Sequence, residues 1–263
     1  MGIESVVKVG IRGMWRCVPK RHRASVLNAI FRQASADEQR SVGMGNLGLT
    51  LTLLRTNGFR PDLVVDVGAN RGSWTLEVCR IFPESRYFLV DADPANGKSL
   101  AKVCSSLPQS SFSISLLGRE PRSDVRFYQM GTGSSVLSEK TAIDRNELSL
   151  PMTMLDELIK ASEFERVLLK LDVQGYELEV LLGATGLLSK AEVVILECSL
   201  IQYNDDAPLL ADVVEFMRSR GFVVYDFCGQ ARRASDGVLF QIDVAFVKEI
   251  SNMRKPFTAW KTK

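Results

Sequence analysis

The chain has 263 residues, of which 46% are hydrophobic and 24% are charged, and its formal net charge at pH 7 is +2. This composition is typical of a globular domain with a sizeable core. It excludes a disordered or fibrous chain and gives no global charge argument for a nucleic-acid partner. The five cysteines are scattered and form no Cys-x-x-Cys pair, which argues against both a disulfide framework and a cysteine zinc site.

The first part of the chain, residues 1–60, is predicted to form a basic helical extension. Residues 1–32 hold seven Lys or Arg and one Glu, so they are the only basic block of the sequence. Apolar residues recur there at helical spacing, and the stretch "MGNLGLTLTLLRTNG" predicts another helix that ends at Gly58. A basic amphipathic helix can lie on an anionic membrane surface. More often such a segment packs on the domain, covers the active site or forms a dimer contact, and all of these hypotheses stay open here.

The N-terminus is expected to carry neither a signal peptide nor a transmembrane helix. Lys8, Arg12 and Arg16 interrupt its apolar pattern, and no apolar run in the chain approaches about 18 residues. A cytoplasmic protein is therefore expected, with a peripheral position at the inner membrane surface as the alternative.

From Pro61 onwards, short apolar runs alternate with amphipathic helices. The predicted strands span residues 63–67, 87–92, 112–117, 125–129, 167–172, 193–198, 222–227 and 242–247. The predicted helices lie near residues 73–82, 95–105, 153–161, 175–189 and 208–220. This alternation indicates an α/β fold with a parallel sheet that is covered by helices on both faces. We assign residues 61–250 to this domain and residues 251–263 to a C-terminal tail.

The stretch "VVDVGANRGSW", residues 64–74, has the form of a ligand-binding turn between a buried strand and a helix. Glycines let the backbone come close to a ligand, and a helix N-terminus offers free N–H groups. The spacing "GANRG" lacks the middle glycine of the dinucleotide fingerprint. The acid before the turn can accept a hydrogen bond from an ammonium group, which favours S-adenosylmethionine over a pyrophosphate ligand; a plain tight turn is the alternative. The predicted cofactor-binding residues of this motif are Asp66, Gly68, Ala69, Asn70 and Gly72.

A second candidate site lies in "FLVDADP", at the end of the second predicted strand. An acid about 20 residues beyond the first glycine of such a turn commonly binds ribose hydroxyls. Asp91 lies 23 residues and Asp93 lies 25 residues after Gly68. Asp93 is favoured because it comes at the end of the strand, just before Pro94, and Asp91 stays open as the alternative.

Two further strand ends carry ionisable residues. The segment "LLKLDVQGYE" places Lys170 and Asp172 at the end of a strand, and Glu197 is the lone acid of the apolar run "VVILECS". An acid at the carboxyl end of a central strand faces the ligand crevice, where it positions the transferred methyl group or acts as a base toward a hydroxyl. The alternatives are a helix cap for Asp172 and an internal pair for Glu197. The catalytic candidates are Asp172, Lys170 and Glu197, with Asp172 also a cofactor contact and Glu177 a further candidate.

Two loops are candidates for pocket lining. Residues 131–135, "GTGSS", have small hydroxylic side chains and form either part of the pocket or only a turn. Tyr203, Asn204 and Asp205 follow the strand of the lone acid and can face an acceptor. His22 is the only histidine, which argues against a histidine-dependent triad, and no ligand spacing indicates a metal site.

These motifs, in this order, resemble the FkbM family of S-adenosylmethionine-dependent methyltransferases. The chain reads "VVDVGANRG", "VDADP", "LKLDVQGYELEVLLGA" and "VVILECS" where members show "DVGANxG", an acid before Pro, and "KxDVxGxE" followed by "LxGA". The resemblance covers residues 61–249. It implies a class I methyltransferase (Rossmann-like) fold, with a mostly parallel seven-stranded sheet and an antiparallel final strand. It also implies O-methylation of a hydroxyl, often on a sugar or natural product, and by position it places functional residues at Gly68, Asn70, Gly72, Asp93 and Asp172.

The chain departs from the family pattern at two places. Many members have Phe-Glu-Pro where this chain has Ala92-Asp93-Pro94, and because Asp is one methylene shorter, Asp91 stays open as the ribose ligand. Gln174 stands where the family often has Glu. If that Glu is catalytic in the family, this chain lacks the group.

Methyl transfer to a hydroxyl of a small molecule or glycan is therefore the favoured function, and no nucleic-acid partner is expected. The reaction depends mainly on positioning of donor and acceptor, so the lack of a suitable histidine does not count against it. A nicotinamide-dependent oxidoreductase fits the turn and the second-strand acid but not the glycine spacing. A non-catalytic partner subunit that keeps a cofactor-binding fold and docks through its basic N-terminal helices is the third alternative.

Overall fold

The computed structural model describes residues 45–139 and 145–254 of the chain. Gly45 begins a compact unit that is distinct from the unit Met1–Met44. The helices predicted within residues 1–44 lie outside the described residues, as does the end of the predicted tail. The membrane and oligomer hypotheses for the basic segment therefore stay predictions.

Strands and helices alternate along most of the described residues. The strands are β1 (Leu63–Val67), β2 (Arg86–Asp91), β3 (Ser110–Ile114), β4 (Leu116–Leu117), β5 (Arg122–Gln129), β6 (Asn146–Thr153), β7 (Val167–Leu171), β8 (Ala191–Ser199), β9 (Phe222–Arg232) and β10 (Leu239–Lys248). The helices are α1 (Leu47–Thr56), α2 (Ser73–Val78), α3 (Gly97–Ser106), α4 (Leu155–Leu158), α5 (Glu177–Leu182), α6 (Thr185–Lys190) and α7 (Leu210–Ser219).

Seven strands form the main sheet in the order β3-β2-β1-β7-β8-β10-β9. Neighbouring strands from β3 to β8 are parallel, and β10 runs antiparallel to both β8 and β9. β1 and β7 are buried along their whole length, as expected for the centre of a sheet that is covered on both faces. The predicted α/β fold, a mostly parallel seven-stranded sheet with an antiparallel final strand, is confirmed.

The direction of strand addition reverses between β1 and β7, which places a crevice outside their carboxyl ends. The parallel pairing sets Val67 beside Leu171, so the segments that follow the two strands are neighbours. The backbone N–H of Asp172 donates to the carbonyl oxygen of Val67 over 3.1 Å. The turn after β1 therefore meets the acidic segment after β7.

Helix α1 belongs to the α/β domain and not to a separate extension. Leu51 and Leu54 of this helix are fully buried, and they share a core cluster with Val64 on one face of the main sheet. The predicted boundary after residue 60 is therefore corrected, because the apolar face of α1 is covered by the sheet. The described domain already includes Gly45.

A second, three-stranded sheet was not predicted as a unit. It has the order β4-β6-β5, with β4 parallel and β5 antiparallel to β6. The run 112–117, predicted as one strand, is divided between β3 of the main sheet and β4 of the second. β6 was not predicted, because it is largely exposed and contains Pro151, which is unusual inside a strand.

The described helices are short. The longest have 10 residues, and the helix predicted over residues 175–189 is divided into α5 and α6 at Gly183. A Cβ at Gly183 would lie 2.0 Å from the carbonyl oxygen of Gly118, so this corner packs too closely for any other residue. Among the helices of the described residues, none is long and apolar enough to cross a membrane.

Candidate active site

The turn after β1 is built from three residues with left-handed backbone. Gly68, Asn70 and Gly72 have φ angles of 72°, 49° and 77°, a region that glycine adopts freely and asparagine tolerates. Gly68 also packs against the end of β7, because a Cβ there would lie 1.8 Å from the carbonyl oxygen of Asp172. The glycine spacing thus brings the two central strand ends into direct contact at the crevice.

A buried ion pair lies beneath this turn. Asp66 is 1% exposed; its Oδ1 lies 3.0 Å from Nζ of Lys170, and its Oδ2 accepts a hydrogen bond from Oγ1 of Thr75 over 2.7 Å. Nζ of Lys170 also donates to the carbonyl oxygens of Val67 and Gly68, at 3.3 and 3.1 Å. The carboxylate of Asp66 therefore supports the turn from below, and the predicted direct contact with a ligand ammonium is corrected, since it is enclosed by protein.

Lys170 supplies a fixed positive charge. Burial alone would lower the pKa of its ammonium group, but the carboxylates of Asp66 and Asp172 outweigh burial and raise the pKa. Asp172 contributes through Oδ2, which lies 3.5 Å from Nζ. An ammonium group that stays protonated cannot act as a base, so this geometry favours a role for Lys170 in orienting the two carboxylates.

Asp91 at the end of β2 accepts three hydrogen bonds through its two carboxylate oxygens. Its Oδ2 accepts from the backbone N–H of Asn70 over 2.6 Å. Its Oδ1 accepts from the backbone N–H of Asp93 and from the side-chain amide of Asn96, at 2.8 and 3.0 Å. Burial raises the pKa of Asp91, and these hydrogen bonds partly offset that effect. Asp91 therefore fixes the shape of the β1 turn.

Asp93, in contrast, keeps one carboxylate oxygen available. Its Oδ1 accepts from the backbone N–H of Ala95 over 2.8 Å and from Nε2 of Gln129 over 2.6 Å. Its Oδ2 accepts no hydrogen bond from the described residues. The side chain is 4% exposed and lines an open cleft together with Asn70 and Asp172. Of the two predicted ribose ligands, Asp93 has the free acceptor that a hydroxyl needs.

Gln174 connects the acidic and polar groups after β7. Its φ of 56° is unusual for a residue other than glycine, and such strained residues are frequent at functional sites. Its Nε2 donates to Oδ1 of Asp172 over 3.0 Å and to Oε2 of Glu197 over 2.7 Å. Its Oε1 accepts from the hydroxyl of Tyr203 over 2.8 Å, and its carbonyl oxygen accepts from Nδ2 of Asn204 over 2.8 Å. One amide thus ties two carboxylates to the segment after β8.

The carboxyl groups around Gln174 are hard to ionise together. Burial raises the pKa of Glu197 well above its usual value, and the charges of Asp172, Glu177 and Asp243 add to this effect. Glu197 and Asp243 are register partners on β8 and β10. Burial also raises the pKa of Asp243 to about 6 and that of Glu177 to about 7. Asp243 and Glu177 therefore gain and lose protons near neutral pH.

Replacing Glu177 with glutamine is expected to flatten the pH dependence of stability. Glu177 is 2% exposed, and its Oε1 alone accepts from the backbone N–H groups of Val173 and Gly175, so glutamine keeps both hydrogen bonds. The folded-state pKa of about 7 exceeds the ordinary value of 4.5. Its stabilising contribution is therefore fully present below pH 4.5 and is lost as the pH rises through 7.

Urea unfolding at about pH 5 and about pH 8 measures this effect. The wild-type protein should lose stability as the pH rises, and Glu177→Gln should lose less by on the order of 2–3 kcal/mol. Glu165→Gln, at a side chain that is 80% exposed, is the control and should follow the wild type. Equal losses in wild type and Glu177→Gln would contradict the assignment.

Two cavities share the β1 turn and Asp172 as walls. The inner cavity lies between the β1 turn, the end of β2 and β4. Its walls beyond the turn are mostly apolar and include Val90, Ala92, Leu116, Leu117, Phe127 and Tyr176. The open cleft on the other side of the turn is more polar and includes Arg71, Ser73, Asn96, Ser99, Gln129 and Lys170. The site therefore has an apolar inner cavity next to a more polar open cleft.

The structure brings most of the sequence-predicted site residues together. The residues that line one or both cavities are Gly68, Ala69, Asn70, Asp91, Asp93, Lys170 and Asp172. Asp66 and Gly72 support the turn instead, and Glu197 reaches the cavities only through Gln174. Gly131 and Thr132 of the "GTGSS" loop line both cavities, so that loop is pocket lining as well as a turn.

Sequence reasoning missed the roles of three residues. Gln129 comes from the second sheet, and Asp243 reaches the cluster only through pairing of β10 with β8. In the sequence, Gln174 differs from its neighbours only as a departure from the family pattern, and its network depends on contacts from distant strands. Within the part of the chain that the structure describes, no group of three or more His, Cys, Asp or Glu side chains is suited to hold a metal ion.

The strand order, with the reversed β10 between β8 and β9, is the topology of a class I methyltransferase, and its crevice lies outside the carboxyl ends of β1 and β7. Sequence comparison identifies the family within this class. Residues 66–224, more than half of the 263-residue chain, match the Methyltransferase FkbM domain, and the chain belongs to the FkbM methyltransferase family. The predicted family is thereby confirmed. A search among curated proteins found no match.

Several solved structures are similar to this chain at low identity. The precorrin-6y C5,15-methyltransferase of Geobacter metallireducens is 15% identical, with a TM-score of 0.41 over 76% of this chain and 86% of that chain. The magnesium protoporphyrin IX methyltransferase of Synechocystis, solved with its methyl donor, is 13% identical, with a TM-score of 0.42 over 76% and 79%. The N-methyltransferase NodS of Bradyrhizobium japonicum, in complex with S-adenosylhomocysteine, is 10% identical, with a TM-score of 0.42 over 76% and 83%.

Proposed function

We propose that this chain is an S-adenosylmethionine-dependent O-methyltransferase that acts on a hydroxyl of a sugar, glycan or natural product. The observation that carries the proposal is the position of Asp172. Its carboxylate lines both cavities at the end of β7, in direct backbone contact with the Gly68 turn. An acid at that place lies where donor and acceptor have to meet.

S-adenosylmethionine is the cofactor, and the residues present fit it. The free Oδ2 of Asp93 suits the ribose hydroxyls, and the apolar inner cavity suits the adenine ring. The Gly68–Gly72 turn and the open cleft beside it suit the amino-acid end of S-adenosylmethionine. Two acids that line the open cleft, Asp93 and Asp172, also favour a cationic sulfonium over a neutral or anionic ligand.

Methyl transfer to a hydroxyl requires alignment of donor and acceptor and one base that accepts the hydroxyl proton. S-adenosylmethionine supplies an activated methyl group, and transfer depends mainly on alignment of the acceptor oxygen. Asp172 is the candidate base toward the acceptor hydroxyl, because it is the partly exposed acid in the cavities. Lys170 holds one of its oxygens and Gln174 the other, so the carboxylate is fixed. Glu197, linked through the same amide, positions Asp172.

The family resemblance and the polar open cleft support a hydroxylated small molecule or glycan as the acceptor. A small molecule or glycan is favoured over nucleic acid, since the net charge of +2 gives no basic surface argument. A nicotinamide-dependent oxidoreductase is disfavoured, because Asn70 occupies the place of the glycine that packs on pyrophosphate. A non-catalytic partner subunit stays a second candidate. The cytoplasmic location is part of the same proposal.

Transfer from deuterium-methyl-labelled S-adenosylmethionine to a panel of sugars, glycans, hydroxylated natural products, amines and RNA tests the function. Mass spectrometry should find one labelled methyl group on an oxygen of a hydroxylated acceptor. Asp172→Asn should lower kcat by about 10²–10⁴-fold, whereas Glu165→Gln, at an exposed site, should not. Labelling only on nitrogen or on RNA, or full activity in Asp172→Asn, would contradict the proposal.

A further inference from the structure

The second sheet reaches the cofactor site through one side chain. Gln129 ends β5, and its Nε2 donates to Oδ1 of Asp93 over 2.6 Å. Both side chains line the open cleft. None of the sequence motifs includes Gln129, because its strand belongs to a different sheet from the turn and from β2.

A second, longer hydrogen bond reaches the Gln129 amide from the other side. Its Oε1 accepts from Nδ2 of Asn146, the register partner of Gln129 on β6, over 3.4 Å. A carboxylate offers only acceptors, so the amide must present its N–H group to Asp93. The second sheet thus holds the donor in place before any ligand arrives.

The hydrogen bond from Gln129 determines which acceptor positions of Asp93 stay open. A carboxylate has about four lone-pair sites, two on each oxygen. On Asp93, Oδ1 receives two N–H donors, one from Ala95 and one from Gln129, and Oδ2 receives none from the described residues. Two acceptor positions remain on one oxygen, which matches the two adjacent hydroxyls of a ribose.

We propose that Gln129 is a positioning residue for ribose recognition: it occupies Oδ1 of Asp93 and holds Oδ2 toward the 2′- and 3′-hydroxyls of the cofactor. The inference rests on the proposed function, since it assumes an adenosine cofactor. Without the amide, the carboxylate of Asp93 keeps only its bond to Ala95 and can rotate. The second sheet therefore contributes to cofactor selectivity and not only to the wall of the inner cavity.

The test compares the binding of S-adenosylhomocysteine and of its 2′,3′-dideoxy analogue by calorimetry. Gln129→Met keeps the length of the side chain and removes the amide. We expect Gln129→Met to weaken S-adenosylhomocysteine about 10- to 100-fold, as for loss of a hydrogen bond to a charged group. The dideoxy analogue, which lacks the hydroxyls, should bind wild type and variant alike, within about three-fold.

Two further variants make the result specific. Arg126→Ala, on the same strand and with a side chain that is 67% exposed, should bind both ligands as the wild type does. Asp93→Asn should lose the preference for the ribose hydroxyls, and adding Gln129→Met to it should cost little more. Equal weakening of both ligands by Gln129→Met, or no weakening, would overturn the inference. If the wild type itself binds neither ligand, the proposed function fails instead.

Discussion

Replacing Lys170 with methionine is expected to lower the free energy of unfolding by about 3–5 kcal/mol. The substitution removes the ammonium group 3.0 Å from Asp66, a carboxylate that is only 1% exposed. Thr75 is then the remaining donor to that carboxylate among the described residues. A buried charge without its counter-ion is costly, because the protein interior cannot replace the solvation that water provides. Urea unfolding at constant pH measures the change.

Two variants separate this charge effect from a general loss of packing. Lys170→Met combined with Asp66→Asn removes both charges and should regain a large part of the lost stability. Lys190→Met breaks an ion pair with Glu165 in which both side chains are partly exposed, and it should cost about 1 kcal/mol or less. A loss in Lys170→Met no larger than in Lys190→Met would show that the buried pair is not the support of the turn.

Gly68→Ala is expected to weaken cofactor binding strongly. Alanine at a φ of 72° is strained, and its Cβ would lie 1.8 Å from the carbonyl oxygen of Asp172. The turn and the end of β7 have to move apart, which displaces Asn70 and Asp172 from the shared wall of the two cavities. Calorimetric titration with S-adenosylhomocysteine should show at least about a 100-fold loss of affinity.

Gly221→Ala is the matched control. Gly221 has a similar φ of 77°, but no atom lies within 4 Å of the position its Cβ would take. This variant carries the cost of the left-handed backbone, about 1 kcal/mol, without the clash and without contact to the cavities. It should bind S-adenosylhomocysteine like the wild type. Wild-type affinity in Gly68→Ala would contradict the close approach of the two strand ends.

The sequence predicts the central strands because most of their consecutive residues are apolar, as expected for buried strands. Every residue of β1 and β7 except Asp66 and Lys170 is apolar, and most of β10 is apolar, so the existence of these strands does not depend on distant contacts. The second sheet is different, since β6 is mostly exposed and gains its identity only by pairing with β5 and β4. Helix α1 was predicted, but which domain covers its apolar face is a tertiary fact that local periodicity does not contain.

The candidate site, too, is only partly predictable from the sequence. The rule that ligands bind outside the carboxyl ends of parallel strands was enough to place Asp93 and Asp172 at one crevice. It was not enough to show that Asp66 is enclosed, because burial at a strand end depends on Lys170 from the neighbouring strand. Neither Gln129 nor Gln174 belongs to a sequence pattern that indicates its role. Their roles arise where side chains from separate sheets or loops meet a carboxylate.

The binding of S-adenosylhomocysteine and NADH to the wild-type chain, measured side by side by calorimetric titration, tests the central claim most directly. The Gly68 turn, the free oxygen of Asp93 and the apolar inner cavity predict saturable one-to-one binding of S-adenosylhomocysteine and no binding of NADH. Binding of NADH alone would contradict the account, because it would place a pyrophosphate on a turn that has Asn70 where the pyrophosphate needs glycine.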